Sequence, residues 1–558
     1  MMNNPLCQRS SSRLFVPAVL LLLLLPTPSL AQGHQDWSYN LGLYEVNVRQ
    51  YTPAGTFAAF QTHIDRLQAM GVGMLWFMPI HPIGRQNRLG TLGSYYSVRD
   101  YRAVNPEFGT LDDFRTLVKA VHDRGMYVII DWVANHTSWD NPLTTAHPEW
   151  YSKDANGNFI PPPGTNWSDV IELDYAQQGL RDYMIDAMKF WVEDVGVDGF
   201  RYDAVSFVPQ DFWQEAMGEL KASKPDIFLL AEGDGKVWHD AGFDMTYAWG
   251  LYGFEGGVLK RIADGINTAN HLNSYAANEK ALYTDGTYRM YFTSNHDENS
   301  WHGTPTELFG EAAEAFAVLT ATFNGMPLLY SGQEAGLDKR LQFFEKDQIL
   351  WRDHGNADLY ATLLHLKREN RALWNGEKGG LLQRVLTTNN AGIFAFVREK
   401  EEDKVFVALN LSDQEQSVTL SGTSFIGTYR NVFSDETVVL EEEATLLLPA
   451  WGYVVYEAME VNTGGVGEAW PGAFALGQNY PNPFNAATKI SYSLAAPSAV
   501  RLTVFDLLGR AVQVLASATQ PAGTYEVAFT ATDLPGGVYV YQLQAGNHTE
   551  TKRLVLLR

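Results

Sequence analysis

The sequence predicts an α/β chain: a (β/α)₈ TIM barrel with a short insertion after its third strand, then an all-β C-terminal sandwich and a second small β-sandwich tail. Three observations carry this. Eight β-rich runs alternate with amphipathic segments over roughly 300 residues, the pattern of a (β/α)₈ barrel. The amphipathic segments, such as "LDDFRTLVKAVHDRGM" and "QGLRDYMIDAMKFWVEDVG", close near a Gly, the usual helix stop. After Leu373 the text turns wholly β-like, with runs such as "AGIFAFVRE" and "KVFVALNLS".

Residues 1–31 read as a signal peptide. Arg9 and Arg13 precede the run "LFVPAVLLLLLLP", and "TPSLAQ" supplies a small-residue cut after Ala31. The run is too short to span a bilayer, which takes about 20 residues. The only cysteine, Cys7, is discarded with it, so the mature chain is expected to be exported yet without disulfides. Residues 32–373 are assigned to the barrel, with strands expected at "GLYEVNVRQ", "GMLWFMPI", "YVIIDWVAN", "GFRYDAV", "IFLLAEG", "FDMTYAW", "RMYFTSN" and "MPLLYSG". The insertion, about 138–174, is rich in Pro, Asn and Trp and reads as a lid over a binding site. An antiparallel sandwich follows over 374–459, a Gly-rich linker over 460–471, and the last β-rich block over 472–558.

Composition narrows the function classes. The 41 Lys and Arg stand against 64 Asp and Glu, a net charge of −23 with no basic cluster, which argues against nucleic acid or an anionic membrane as partner. Aromatics make up 13% of the chain, more than a core requires, and sugars stack on such rings.

Chemistry is expected at the C-terminal ends of the barrel strands. Arg201 and Asp203 stand two apart in an apolar run, on one face of an expected strand Gly199 to Val205. Such a pair is either a structural ion pair or part of a site. Its neighbours at the same rim are Asp131, Asn135 and His136 after the third strand, Glu232 after the fifth, and Asn295, His296, Asp297 and Glu298 after the seventh. Crowded carboxylates raise one another's pKa, which suits an acid beside a base. Glycoside hydrolysis uses such a set, one carboxylate to attack and one carboxylic acid to protonate the leaving oxygen. By this reading Arg201 keeps Asp203 anionic as nucleophile. Glu232, with no cation beside it in sequence, is held protonated by desolvation, and Asp297 binds ring hydroxyls.

The stretches "DWVANHT" (131–137), "GFRYDAV" (199–205), "LLAEG" (229–233) and "FTSNHDE" (292–298), with "YSVRDYRAVNPEFGT" upstream, resemble the ordered signature regions of glycoside hydrolase family 13, the α-amylase family, over about residues 40 to 460. The resemblance implies Asp203 as nucleophile, Glu232 as acid/base and Asp297 as transition-state stabiliser. It implies that Arg201 orients Asp203, Asp131 braces the arginine, Tyr96 stacks on the sugar, and His136 and His296 hold its hydroxyls. Ser206 and Phe207 depart from a common Lys-His pair, and Ser94 and Tyr95 from a common His-Gly. No cofactor is required for the chemistry. Asn135 matches a family calcium ligand and reads equally well as a hydrogen-bonding residue, so structural calcium stays open. The first barrel strand begins about ten residues after the cut, so the extra N-terminal domain of cyclodextrin-degrading and branching relatives is not expected.

The last block, through "NYPNPFN", "LTVFDLLGRAV" and "TKRLVLLR", resembles a type A sorting domain of type IX secretion, with a small starch-binding sandwich as the other reading. The expectation is an exported, retaining hydrolase of α-1,4-glucans, passing through the periplasm to the cell surface or medium and engaging the type IX machinery by its tail. The alternatives are a transglycosidase on the same substrates and a non-catalytic glycan binder.

Overall fold

The computed structural model describes residues 34–253, 256–284, 286–459 and, between 475 and 557, all but 480, 483, 495–496, 507–508, 522, 532–533 and 547. The expected signal peptide, with Cys7, and the 460–471 linker lie outside the described residues. The chain divides into two compact units, one before and one after the boundary 460/461 in the sequence.

In the first unit, eight parallel strands close into a barrel in chain order: β1 (Leu43–Val46), β2 (Met74–Phe77), β3 (Tyr127–Trp132), β4 (Gly199–Tyr202), β5 (Phe228–Ala231), β6 (Met245–Tyr247), β7 (Tyr288–Tyr291) and β8 (Met326–Tyr330). All eight expected strands are present, and β1 pairs with both β2 and β8. All eight are shorter than the runs the sequence pattern suggested, and two of the endings bear on the site. The first stops at Val46, and Val48–Tyr51 forms a helical turn. The fourth stops at Tyr202, because Ala204 adopts a left-handed conformation (φ 45°) that no strand can continue through. Gly199 opens β4 because the strands crowd there: a Cβ would lie 1.9 Å from the Phe228 carbonyl oxygen.

Most of the surrounding helices bury one stripe, whereas Ala313–Thr322 is buried nearly all round. In Leu111–His122, Phe114, Leu117, Val118 and Val121 recur at helical spacing and point inward, and a Thr110–Asp113 capping box satisfies the first backbone donors. After β3 the insertion is tied at its base by a two-stranded ribbon, His136–Ser138 against Val170–Glu172.

Beyond the last barrel helix (Gly355–Glu369) comes an eight-stranded antiparallel sheet, from Gln383 to Ala458, folded over a core of its own. Strand Ile393–Lys400 shows the two-residue period that joins it to the barrel. Ile393, Ala395 and Val397 fill the sandwich, while Phe394 and Phe396 enter a cluster shared with barrel residues. Two buried basic side chains clamp this joint by donating to backbone carbonyls. Arg398 donates to Gly380, Phe323 and Trp374, and Lys367 donates to Gly325 and Leu373. The second unit is a three-stranded and a five-stranded sheet around Leu476, Phe484, Ile490, Leu502, Phe529 and Tyr541.

Candidate active site

Register brings the charges together. Asp131 on β3 lies directly beside Arg201 on β4, so both project from the same level of the barrel. Arg201 is buried, with Trp76, Tyr96 and Tyr247 packed around its guanidinium at 5.1, 5.9 and 5.8 Å. It divides its donors among three carboxylates: Nη1 to Asp131 (3.0 Å) and to Asp203 (3.3 Å), and Nη2 to Glu232 (2.7 Å). A planar fork suits this sharing, and a lysine could not reproduce it.

Asp203 stands just past the end of β4, one residue before the left-handed Ala204. That turn points the Ala204 N–H at Glu232 Oε2 (2.7 Å). A non-glycine residue in this conformation is strained, and strain of this kind gathers at functional sites.

The sequence reading of the two carboxyls needs correcting. Glu232 does have a cationic neighbour, and both its oxygens act as acceptors, one from Arg201 and one from the Ala204 amide. Arg201 alone does not hold the Asp203 pKa low: burial first, then the Glu232 charge, push it well above the usual carboxylate range, and Arg201 only partly opposes them.

Asp131 accepts from Arg201, from the Trp76 indole (3.2 Å) and from the Tyr96 hydroxyl (3.0 Å). Burial raises its pKa to about 6 against the pull of Arg201. Protonating it removes the charge that anchors Arg201, so turnover is expected to fall as pH drops through about 6. Stability moves the other way on this account. A carboxyl whose folded pKa exceeds its ordinary 3.8 binds the proton more tightly when folded, so its contribution grows from pH 6 down to 4. Turnover and melting temperature measured over one pH series check this, and parallel loss of both from pH 6 contradicts it.

His296 lies between two carboxylates. Its Nδ1 is 2.5 Å from Glu45 and its Nε2 is 3.3 Å from Asp297 and 2.7 Å from the Tyr96 hydroxyl. Since Tyr96 gives its one proton to Asp131, it accepts from His296, and both ring nitrogens are donors. Burial would raise Asp297, but the imidazolium outweighs it and brings that carboxyl down to about 2. Tyr96 stacks on His296 with ring centres 5.4 Å apart. His136 is buried and neutral, its pKa lowered by burial to about 4, and its ring lies 5.4 Å from that of Trp167 in the insertion.

These groups open into a cleft of about 520 Å³ lined by Tyr96, His136, Trp167, Asp203, Asp297 and Trp301. Trp301 and Phe207 expose half or nearly half of their surface, and Phe207 packs on Trp167 with ring centres 5.6 Å apart. Eight residues named from the sequence, Tyr96, Asp131, His136, Arg201, Asp203, Glu232, His296 and Asp297, thus meet in one network or cleft. Glu298 does not join them; it turns away to His302. Asn135 Nδ2 lies 3.3 Å from His136 Nδ1, and among the described residues no group of three or more His, Cys, Asp or Glu side chains is placed to hold a metal ion.

Sequence reasoning missed Glu45, Trp76, Tyr247 and Trp301. Only Glu45 carried a signal, a charge inside the apolar run "LYEV".

Residues 32–169 and 165–405 match the alpha amylase catalytic domain, and residues 383–455 the maltogenic amylase C-terminal domain. The chain belongs to the α-amylase family. Similar solved structures of that family include the maltogenic alpha-amylase AmyB from Thermotoga neapolitana, 30% identical with TM-score 0.67, covering 75% of this chain and 98% of that one. An alpha-amylase from Lactobacillus plantarum is 31% identical with TM-score 0.67, over 75% and 99%. The alpha-amylase MalA from Haloarcula japonica is 26% identical over 436 residues, 74% of this chain but only 62% of that protein. This α-amylase family chain is a glycoside hydrolase. Residues 478–557 match a secretion system C-terminal sorting domain, which marks it for type IX export to the cell surface or beyond. No helix among the described residues is long and apolar enough to cross a membrane.

Proposed function

We propose that this enzyme hydrolyses α-1,4-glucosidic bonds of starch or maltooligosaccharides by double displacement, with retention at the anomeric carbon. The observation that carries the reading is the single guanidinium shared by Asp203 and Glu232. Sharing one cation keeps the two carboxyls near each other, and a retaining site needs its nucleophile and acid/base closer together, about 5 Å, than an inverting site that admits a water between them.

The cycle needs the proton on Glu232 and the charge on Asp203 when the sugar is attacked. Asp203 then attacks the anomeric carbon while Glu232 gives its proton to the departing glycosidic oxygen. Water enters, loses a proton to Glu232 and displaces Asp203, so two inversions give net retention. Asp297, anionic in the imidazolium's field, stabilises the positive charge that develops on the ring. Tyr96 provides a stacking face, and His136 and His296 provide polar contacts to hydroxyls. The substrate class is supported by the relatives' names and by the aromatic lining of the cleft.

A product time course on soluble starch and on maltoheptaose tests the proposal. Reducing ends rising steadily with accumulation of shorter maltooligosaccharides is the expected result. Redistribution of chain lengths at a constant number of reducing ends would turn the reading to a transglycosidase, and no cleavage of either substrate would remove it.

A further inference from the structure

We propose that Glu45, on the first barrel strand and outside every motif named above, is a positioning residue of this reaction: it fixes His296 in orientation and charge so that the histidine can serve Asp297 and the sugar. The inference rests on the glycosidase reading above.

Glu45 is wholly buried in the middle of β1, between Trp76 on β2 and Tyr330 on β8 in the strand register. Its Oε1 meets His296 Nδ1 at 2.5 Å, and its Oε2 has no hydrogen-bond partner among the described residues. A buried carboxylate with one orphaned oxygen is unfavourable on its own account. A barrel strand needs no such group for packing, so its use is to be sought in the one partner it has. That partner is immobilised on every side: Trp76 lies edge-on at 5.8 Å, Tyr96 stacks at 5.4 Å, and Phe343 lies at 6.3 Å. With Nδ1–H held by Glu45, the ring can present only Nε2–H toward Tyr96 and Asp297. Carboxylate–histidine pairing of this kind sets the tautomer and basicity of a ring whose other nitrogen works.

The ionisable groups facing the pair come from five other elements. They are Asp131 from β3, Arg201 from β4, Tyr247 from β6, Tyr330 from β8 and Tyr96 from the loop after β2, with Asp297 beside His296 itself. It is Glu45 that contacts Nδ1, so its removal changes His296 without taking a ligand from Arg201 or Asp203.

The test is kcat and KM against pH on maltoheptaose for Glu45→Gln, Glu45→Asp, His296→Gln and the Glu45→Gln/His296→Gln double variant. Glu45→Gln keeps size and an acceptor but loses charge. The expected result is kcat lower by about 10- to 100-fold, KM within about threefold, and an alkaline limb at least about one pH unit lower, since the uncompensated imidazolium deprotonates sooner. Glu45→Asp should keep the wild-type limb with a reduced kcat. The double variant should be no slower than His296→Gln alone, because Glu45 acts only through that ring. An unshifted limb in Glu45→Gln, or losses that add in the double variant, would overturn the proposal; if Glu45→Gln does not fold, a lowered limb in Glu45→Asp does the same. Failure of the underlying reading would look different, as absence of turnover by the wild type.

Discussion

Replacing Asp203 by Asn lowers turnover of maltoheptaose by about 10⁴-fold or more while leaving the fold intact. The amide keeps the shape of the carboxyl but cannot form the glycosyl ester on which both half-reactions depend. Arg201 retains Asp131 and Glu232, so the buried guanidinium is not stranded. Stability is expected to hold or rise. Asp203 has its folded pKa pushed above the ordinary value by burial and then by Glu232, so at neutral pH its charged form is disfavoured in the folded chain, and a neutral residue removes that penalty. Assay and melting temperature on one preparation check both halves. A variant that is inactive because it melts well below wild type would contradict the attribution of lost activity to a missing nucleophile.

Glu232→Gln gives the second large effect and a different signature. Losing the general acid should slow maltoheptaose hydrolysis by about 10²- to 10⁴-fold. A substrate whose leaving group needs no proton, such as α-glucosyl fluoride, escapes the defect in the first step and leaves only the second step slow. Azide, a nucleophile that needs no general base, should then restore turnover and give an α-glucosyl azide. Asp203→Ala should give the opposite anomer with azide, since only one inversion occurs without the carboxylate. The same azide product from both variants would mean that the two roles have been misassigned. Glu232→Gln also leaves the Ala204 amide an acceptor, because the side-chain amide can offer its oxygen, so the strained turn need not collapse.

The barrel was legible because its strands are apolar runs bounded by Gly-terminated helices, and a charge inside such a run stands out. Arg201 and Asp203 were found on that signal, and Glu232 and Asp297 from their place at the C-terminal ends of expected strands. Glu45 emitted the same signal in "LYEV" but lies in no motif and has no charged neighbour at i+2 to draw notice. Trp76 could not be picked out, since an aromatic in an apolar strand looks like core until its indole is seen donating to Asp131. The end of β4 was misread for a different reason. Alanine carries no hint of a left-handed conformation, so the turn that separates Asp203 from its strand is a tertiary effect, held in part by the Glu232 contact. The grouping of the carboxyl pair on one cation was likewise out of reach. It depends on Arg201 Nη2 reaching Glu232 just past the neighbouring strand, a contact that only the strands' register sets. Trp167 and Phe343 enter the cleft from irregular segments whose paths follow no periodicity, and Trp301 from the one-turn helix Glu298–His302.

The most direct test of the central claim is the configuration of the first reducing end released from maltoheptaose by the wild-type enzyme, read by NMR before mutarotation scrambles it. Double displacement through Asp203 predicts the α-anomer. Initial release of the β-anomer would mean a single displacement by water, and Asp203 would then have to be reassigned as a base.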